Sequence, residues 1–306
     1  MAKKRPNVGG QAVIEGVMMR GGDLIAVAVR QPDGEIIVDT QSATTIADRY
    51  PLLKKPMLRG VIALGESLIY GMKALSFSAQ VSGDEEEQLS SKEMALTIAF
   101  SVALAIALFI VLPTWSMRFL QNWTSDHRLL NLAEGILRML IFLAYIWGIS
   151  LMEDIQRVFQ YHGAEHKTIY AYEAGLPLEV ANIRPFTTLH PRCGTNFLMI
   201  VMIISMFVFT FLGWPNLLQR ILSRVILMPV IAGVSYEVIR YAGSHIDKAW
   251  VKTAIMPGLC LQKLTTREPD DSQIEVAIAA LQAVLPPQEI ETKDVEKDDV
   301  RQTTSS

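Results

Sequence analysis

Short β-branched apolar segments open the chain and longer apolar runs follow. Residues 12–19, 24–30 and 35–40 read as strands of a small β unit. Gln31-Pro32-Asp33-Gly34 predicts a turn between the last two, with proline preset at its second position and glycine at its last. Residues 56–80 are apolar but interrupted by Glu66 and Lys73, which suits a helix on a membrane surface or packed against a bundle. From 94 to 117 there is no charge, and a helix of that length spans the roughly 30 Å hydrocarbon layer of a bilayer. Residues 197–218 form a second uncharged run. Two weaker spans flank it. One is 129–152, whose Glu134 and Arg138 are four apart and can pair on one face; the other is 221–241, with Arg224 near its start and Glu237 and Arg240, an expected interfacial pair, near its end.

The pattern therefore predicts a mostly α fold: a polytopic membrane helix bundle of about four spans with a small N-terminal β unit on the cytoplasmic side. A helix over 155–173 follows the second span and is stopped by Gly175 and Pro177. Ile274, Ile278, Leu281 and Leu285 recur at helical spacing after the cap candidates Asp271 and Ser272. Gly83 to Glu87 reads as an acidic linker, and the charged stretch after Pro286-Pro287 reads as disordered. The expected division is a β unit over 1–50, an amphipathic helix and acidic linker over 51–92, a membrane bundle over 93–245 with a metal-type loop at 153–196, a C-terminal segment over 246–285 and a tail over 286–306.

Lysine and arginine are dense before the first span, from Lys3, Lys4 and Arg5 to Lys92, and sparse in the outer loops, where Arg118 and Arg128 lie. The positive-inside rule then puts both termini and residues 153–196 in the cytoplasm. Half of the 306 residues are hydrophobic, in keeping with lipid as the surrounding medium and the bilayer as the expected partner. A net charge of −3 gives no case for nucleic acid. Basic residues at the start are followed by no apolar run, so no cleaved signal is read there. Cys193 and Cys260 are too few for a disulfide framework. Gly9-Gly10, Gly16 and Gly21-Gly22 lack the lysine and spacing of a phosphate loop and read as turns or bulges.

His162-Gly163-Ala164-Glu165-His166 carries the chemistry. Imidazoles at i and i+4 lie about 40° apart around a helix, so both can address one metal ion. The order His-x-x-Glu-His inverts the His-Glu-x-x-His zinc hydrolase pattern, in which the glutamate is the general base. His190-Pro191-Arg192-Cys193 supplies an imidazole and a thiol in a tight loop on the same predicted side of the membrane. If His162, His166, His190 and Cys193 all bind, the site is closed and structural; if three bind, a fourth place is open and hydrolysis becomes feasible. Glu165 is the candidate base and Glu173 the alternative carboxylate ligand.

The bland alternative is a hydrogen-bonded core histidine pair with Glu165 and Lys167 solvated. Cys193 and His190 could instead serve as nucleophile and base. Gly163 either admits a close backbone or marks a helix break. His127 and His245 read as surface or capping residues. Glu15, interrupting an apolar strand, reads either as a buried functional carboxylate or as an edge-strand charge.

The stretches Gly9–Gly21, Tyr161–Lys167, His190–Asn196 and Thr266–Pro269 together resemble the YqhQ-like family of bacterial membrane proteins, whose function is unknown and whose members are commonly labelled as predicted metal-dependent enzymes. The resemblance covers roughly residues 7 to 285 and implies a bacterial plasma membrane. The resulting expectation is a multi-pass membrane protein holding zinc or another divalent metal on His162, His166, His190 and Cys193, with Glu165 as base of a hydrolase of unspecified substrate. A non-enzymatic assembly or scaffolding factor with a structural metal is the alternative. A transporter ranks third, since the first and third spans carry no ionisable residue at depth. Protein partners and homo-oligomerisation are left open.

Overall fold

A computed structural model describes residues 8–83, 91–213 and 216–286. Strands β1 (Val8–Val13), β2 (Gly16–Gly21), β3 (Leu24–Arg30) and β4 (Ile36–Ser42) form an antiparallel sheet in chain order. Helices follow as α1 (Ile46–Arg49), a 3₁₀ turn (Pro51–Lys54), α2 (Leu58–Ser82), α3 (Ser91–Ile106), a π turn (Ala107–Val111), α4 (Leu112–Gln121) and α5 (His127–Ile149). The remainder are α6 (Glu153–Ala174), α7 (Val180–Ile183), α8 (Gly194–Thr210), α9 (Leu217–Ser244), α10 (Ala249–Thr265) and α11 (Asp271–Val284).

The run 12–19, expected as one strand, is two. The chain reverses at Ile14-Glu15, so Val13 faces Gly16, and Glu15 takes a φ of 50°. Two-residue hairpins require this left-handed backbone. The Glu15 carboxylate does not stand alone at an edge: it receives the Arg157 guanidinium and, at 3.2 Å, the Tyr161 hydroxyl, tying the hairpin to α6. The Gln31–Gly34 turn forms as the sequence predicts, with the Gly34 amide donating to the Gln31 carbonyl at 3.0 Å.

Alternation along the strands sends side chains to two covered faces. Ile25, Val27 and Val29 join Val13, Met18 and Ala43 beneath α2, against Ala74, Tyr70, Phe77 and Val81. On the opposite face Val17, Met19, Ala26 and Ala28 pack with Tyr161, Ala164 and Ile169 of α6 and Ile274, Ala277 and Leu281 of α11. With both faces buried, β3 reads in sequence as an almost continuous apolar segment. The small alanines let α6 and α11 approach closely. Helix α2 therefore packs on the sheet, and it also touches α9, where Glu237 pairs with Arg59 rather than with the expected Arg240.

Three helical stretches are long and apolar enough to cross a membrane: Ala95–Gln121, His127–Ile149 and Leu218–Ser244. Their outward faces expose Phe100, Trp115, Phe119 and Trp147. Four crossings were expected, but the uncharged run 197–218 is not one helix. Helix α8 stops at Thr210 after 17 residues, about 26 Å at 1.5 Å per residue. An absence of charge sets no lower limit on irregular backbone, and Phe211-Leu212-Gly213 leave the helix.

Helix α10, unexpected from sequence because Pro257 and two lysines break its pattern, packs against α8 and α5. Helix α11 is capped by Asp270, one residue before the candidates, through a capping box with Gln273. The expected tail beyond Pro286, the acidic linker beyond Gly83 and the basic residues Lys3, Lys4 and Arg5 lie outside the described residues.

Candidate metal centre

Helix α6 carries the first two donors because it is pinned on three sides. Its N-terminal half is held by Glu15, its apolar side by the sheet, and its middle by the strand-like segment after α10. At Gly163 a Cβ would lie 2.1 Å from the Arg267 carbonyl oxygen, so only glycine admits that backbone, and the Arg267 amide donates to the Phe159 carbonyl at 2.9 Å. Of the two sequence readings of Gly163, close approach is the one realised; the helix continues through it.

This approach delivers two backbone carbonyls to the histidines. His162 Nδ1 lies 2.8 Å from the Thr265 oxygen and His166 Nδ1 2.5 Å from the Thr188 oxygen. A carbonyl can only accept, so each Nδ1 carries the proton and each Nε2 presents its lone pair. Metal-binding histidines are commonly fixed in this way. The two rings meet edge to face at a centroid separation of 4.4 Å.

The third donor arrives on α8. Cys193 caps that helix, its Sγ receiving the Thr195 amide at 3.5 Å, and lies 3.1 Å from His162 Nε2. The ligand atoms of His162, His166 and Cys193 all fall within 4.8 Å of one another. His166 is 1% exposed and its Nε2 has no hydrogen-bond partner among the described residues. A buried lone pair facing a sulfur and a second lone pair is the arrangement a soft divalent cation satisfies. The donor set fits zinc.

Around Cys193 the loop is held by a buried amide hub that sequence reasoning missed. Gln262 of α10 accepts from the His190 amide at 2.7 Å and donates to the His190 carbonyl at 2.8 Å and to Asn196 Oδ1 at 3.1 Å. A glutamine in the apolar run of an unrecognised helix was the available signal.

His190 stands beside the cluster rather than in it. Its ring centroid is 5.5 Å from that of His166, and its Nδ1 accepts the Arg192 amide at 3.3 Å, so the proton sits on Nε2, 3.9 Å from Glu173. Turn geometry within His190-Pro-Arg-Cys commits that lone pair to the loop's own backbone. Glu173, the alternative ligand, is engaged by Arg192 at the half-exposed end of α6. The thiol finds its imidazole in His162, not in His190.

Glu165 is buried against the same group. Its Oε2 lies 3.9 Å from His162 Nε2 and 3.7 Å from His166 Nε2. Burial pushes its carboxyl above the ordinary range, opposed by the neighbouring histidines and by the Gly10 amide on β1. A Cβ at Gly10 would meet the Glu165 side chain at 3.1 Å, which is why the strand can pass so close. Burial likewise depresses His166 and His190, favouring neutral imidazoles and leaving the Nε2 lone pair of His166 available. Lys167 is also buried, donating to the Arg184 carbonyl at 2.8 Å and paired with Glu268. Neither it nor Glu165 is solvated.

Comparison with known proteins bears on the same stretch. A family model described as protein of unknown function, DUF1385, matches residues 55–287. The chain is also 36% identical over 297 residues to the uncharacterised protein YqhQ of Bacillus subtilis (strain 168), covering 92% of this chain and 93% of that one. The chain belongs to the DUF1385 family. No solved structure matches it. All the donors named above, with Glu165 and Gln262, fall inside the part matched by the DUF1385 model, whereas Gly10 and the sheet precede it.

Proposed function

We propose that this DUF1385 protein is a multi-pass plasma-membrane protein that binds zinc, or another divalent metal, on its cytoplasmic side and acts as a metal-dependent hydrolase. The observation that carries the proposal is the buried Nε2 of His166, which has no hydrogen-bond partner among the described residues and lies within 4.8 Å of the ligand atoms of His162 and Cys193. Three protein donors leave a tetrahedral ion one open place, the hallmark of a catalytic rather than a structural site. A cation held there supplies Lewis acidity toward a carbonyl or phosphoryl oxygen and toward water.

The chain's own residues supply the rest. The Thr188 and Thr265 carbonyls hold the two rings in one tautomer, and Gly10 of β1 packs close against the Glu165 side chain. Glu165 Oε2 accepts a proton from water entering the site and returns it to the leaving group. A carboxyl raised by burial is a stronger base toward water than an ordinary carboxylate. Zinc content of the full-length protein purified in detergent tests the ligand set. Stoichiometric zinc is expected in wild type and none in His162→Ala plus His166→Ala; negligible zinc in both ends the proposal.

A second reading rests on the 3.7 and 3.9 Å approaches of Glu165 to both Nε2 atoms. With Glu165 as a fourth ligand the site is closed, and the protein is a membrane assembly or scaffolding factor. Glu165→Gln separates the two. As base, its loss leaves zinc in place and abolishes rescue of a deletion strain; as ligand, its loss lowers zinc affinity about 10- to 100-fold.

A further inference from the structure

Outside the histidine site, one buried carboxylate in the apolar helices gathers more cations than it can neutralise. Glu134 of α5 is 1% exposed. Its Oε1 accepts from Thr114 Oγ1 and Arg138 Nη2, each at 2.9 Å, and from Arg224 Nη1. Its Oε2 accepts from Nη2 of Arg220 and of Arg224, both at 2.7 Å. A carboxylate offers about four lone-pair positions, so its capacity is filled.

Arg138 and Arg224 have no other carboxylate among the described residues, so these two alone exceed Glu134 by one positive charge, and Arg220 shares the same group. The side chains of Arg138, Arg220 and Arg224 are only 15%, 9% and 10% exposed. The Arg138 Nε also donates at 2.8 Å to the Phe109 carbonyl, the one that Pro113 cannot engage four residues later. That contact pins the guanidinium inward. Cations in apolar surroundings need counter-charge.

The cluster lies far from the histidines. Glu134 is about 22 Å along α5 from the end that leads into α6. Helix α8 is capped by Cys193 at one end, and just past its other end Asn131, on α5 near Glu134, donates to the Leu212 carbonyl at 2.8 Å. Beside Thr114, α4 and the turn after it expose Trp115, Phe119 and Trp123, the last 88% accessible. Aromatic side chains of this kind collect at the depth of lipid headgroups. Guanidinium forks match the oxygens of phosphate.

We propose that Arg138, Arg220 and Arg224 form an anion site at the end of the helix pack opposite the histidines, and that it takes a phosphate group, borne by an anionic lipid or free in solution. The full-length protein in detergent is tested in two arms. In the first, native mass spectrometry compares retention of phosphatidylglycerol with that of phosphatidylcholine. In the second, melting is compared in inorganic phosphate and in chloride at equal ionic strength.

A lipid ligand predicts selective phosphatidylglycerol retention that falls about 10-fold in Arg138→Gln. A free ion predicts no lipid preference but a melting point raised by about 3 °C in phosphate, and not in the variant. Arg138→Gln leaves Glu134 with two guanidiniums; should it fail to fold, Arg138→Lys keeps the charge and loses the fork, and the same losses are expected. Absence of both effects in wild type, or equal effects in wild type and a folded variant, overturns the proposal.

Discussion

The histidine cluster and the Glu134 cluster are opposites. At the histidine end, His162, His166 and Cys193 turn electron pairs toward one point, and the N–H groups of the rings are used up on the Thr265 and Thr188 carbonyls. At the Glu134 end the acceptor is used up and N–H donors remain in excess. One arrangement invites a cation and the other an anion. Burial alone thus says little about what a polar cluster does; the balance of lone pairs against donors decides it.

The sharpest way to break this comparison is to remove the saturated acceptor. Glu134→Ala leaves Arg138 and Arg224 without a carboxylate among the described residues, and we expect a loss of about 3–5 kcal/mol in unfolding free energy, measured by denaturant titration. A loss under about 1 kcal/mol would mean that the arginines already have another counter-charge.

Next in size is removal of metal. A chelator is expected to destabilise wild type by about 2.7 kcal/mol when free metal had stood at 100 times its dissociation constant, and to leave His162→Ala plus His166→Ala unchanged. Equal responses would place any bound metal elsewhere.

Gly163→Ala forces α6 from the Arg267 carbonyl and should cost about 2 kcal/mol, outweighing the gain in helix propensity. Because the shift moves His162 relative to Thr265, metal affinity should fall while the phosphate effect at Glu134 stays constant. A stable variant with unaltered affinity would show that the close backbone does not set the ring.

Smallest is Asp270→Ala, which removes the α11 cap for about 1 kcal/mol and should touch neither cluster. The Asp270 carboxyl is held below its ordinary 3.8, burial being outweighed by the Ser272 hydroxyl and the Gln273 and Ser272 amides. A depressed folded-state value means stability present above 3.8 and lost as pH falls through the folded value. The gap between wild type and variant, followed by thermal melts, should close on acidification. A gap constant down to strongly acid pH would refute the carboxylate cap.

Periodicity and spacing made much of this legible. The 3.6-residue stripe of α6 placed His162 and His166 on one face, and Gly175 marked its end. Chain reversal within 12–19 was hidden because apolar residues continue on both sides of it, Val13 before and Val17 and Met19 after, and a single Glu15 beside Gly16 reads equally well as an edge charge or bulge within one strand. His190 read as a ligand from residue type, its spacing to Cys193 and its predicted side of the membrane, none of which reveals that its Nδ1 is taken by the Arg192 amide. Glu134 and Arg138 announced their pairing by i,i+4 spacing, but Arg220 and Arg224 come from a helix some 86 and 90 residues on, beyond the reach of local pattern. Long-range convergence is set by packing, and packing is what a single sequence expresses least directly.

Cobalt(II) titration of the full-length protein, followed by absorption, tests the histidine end most directly. We predict saturation at a single equivalent, a near-ultraviolet sulfur-to-cobalt charge-transfer band and visible bands of tetrahedral intensity, with the sulfur band lost in Cys193→Ser and retained in His190→Ala. No saturable binding, or a sulfur band that survives Cys193→Ser, would contradict a centre built on His162, His166 and Cys193.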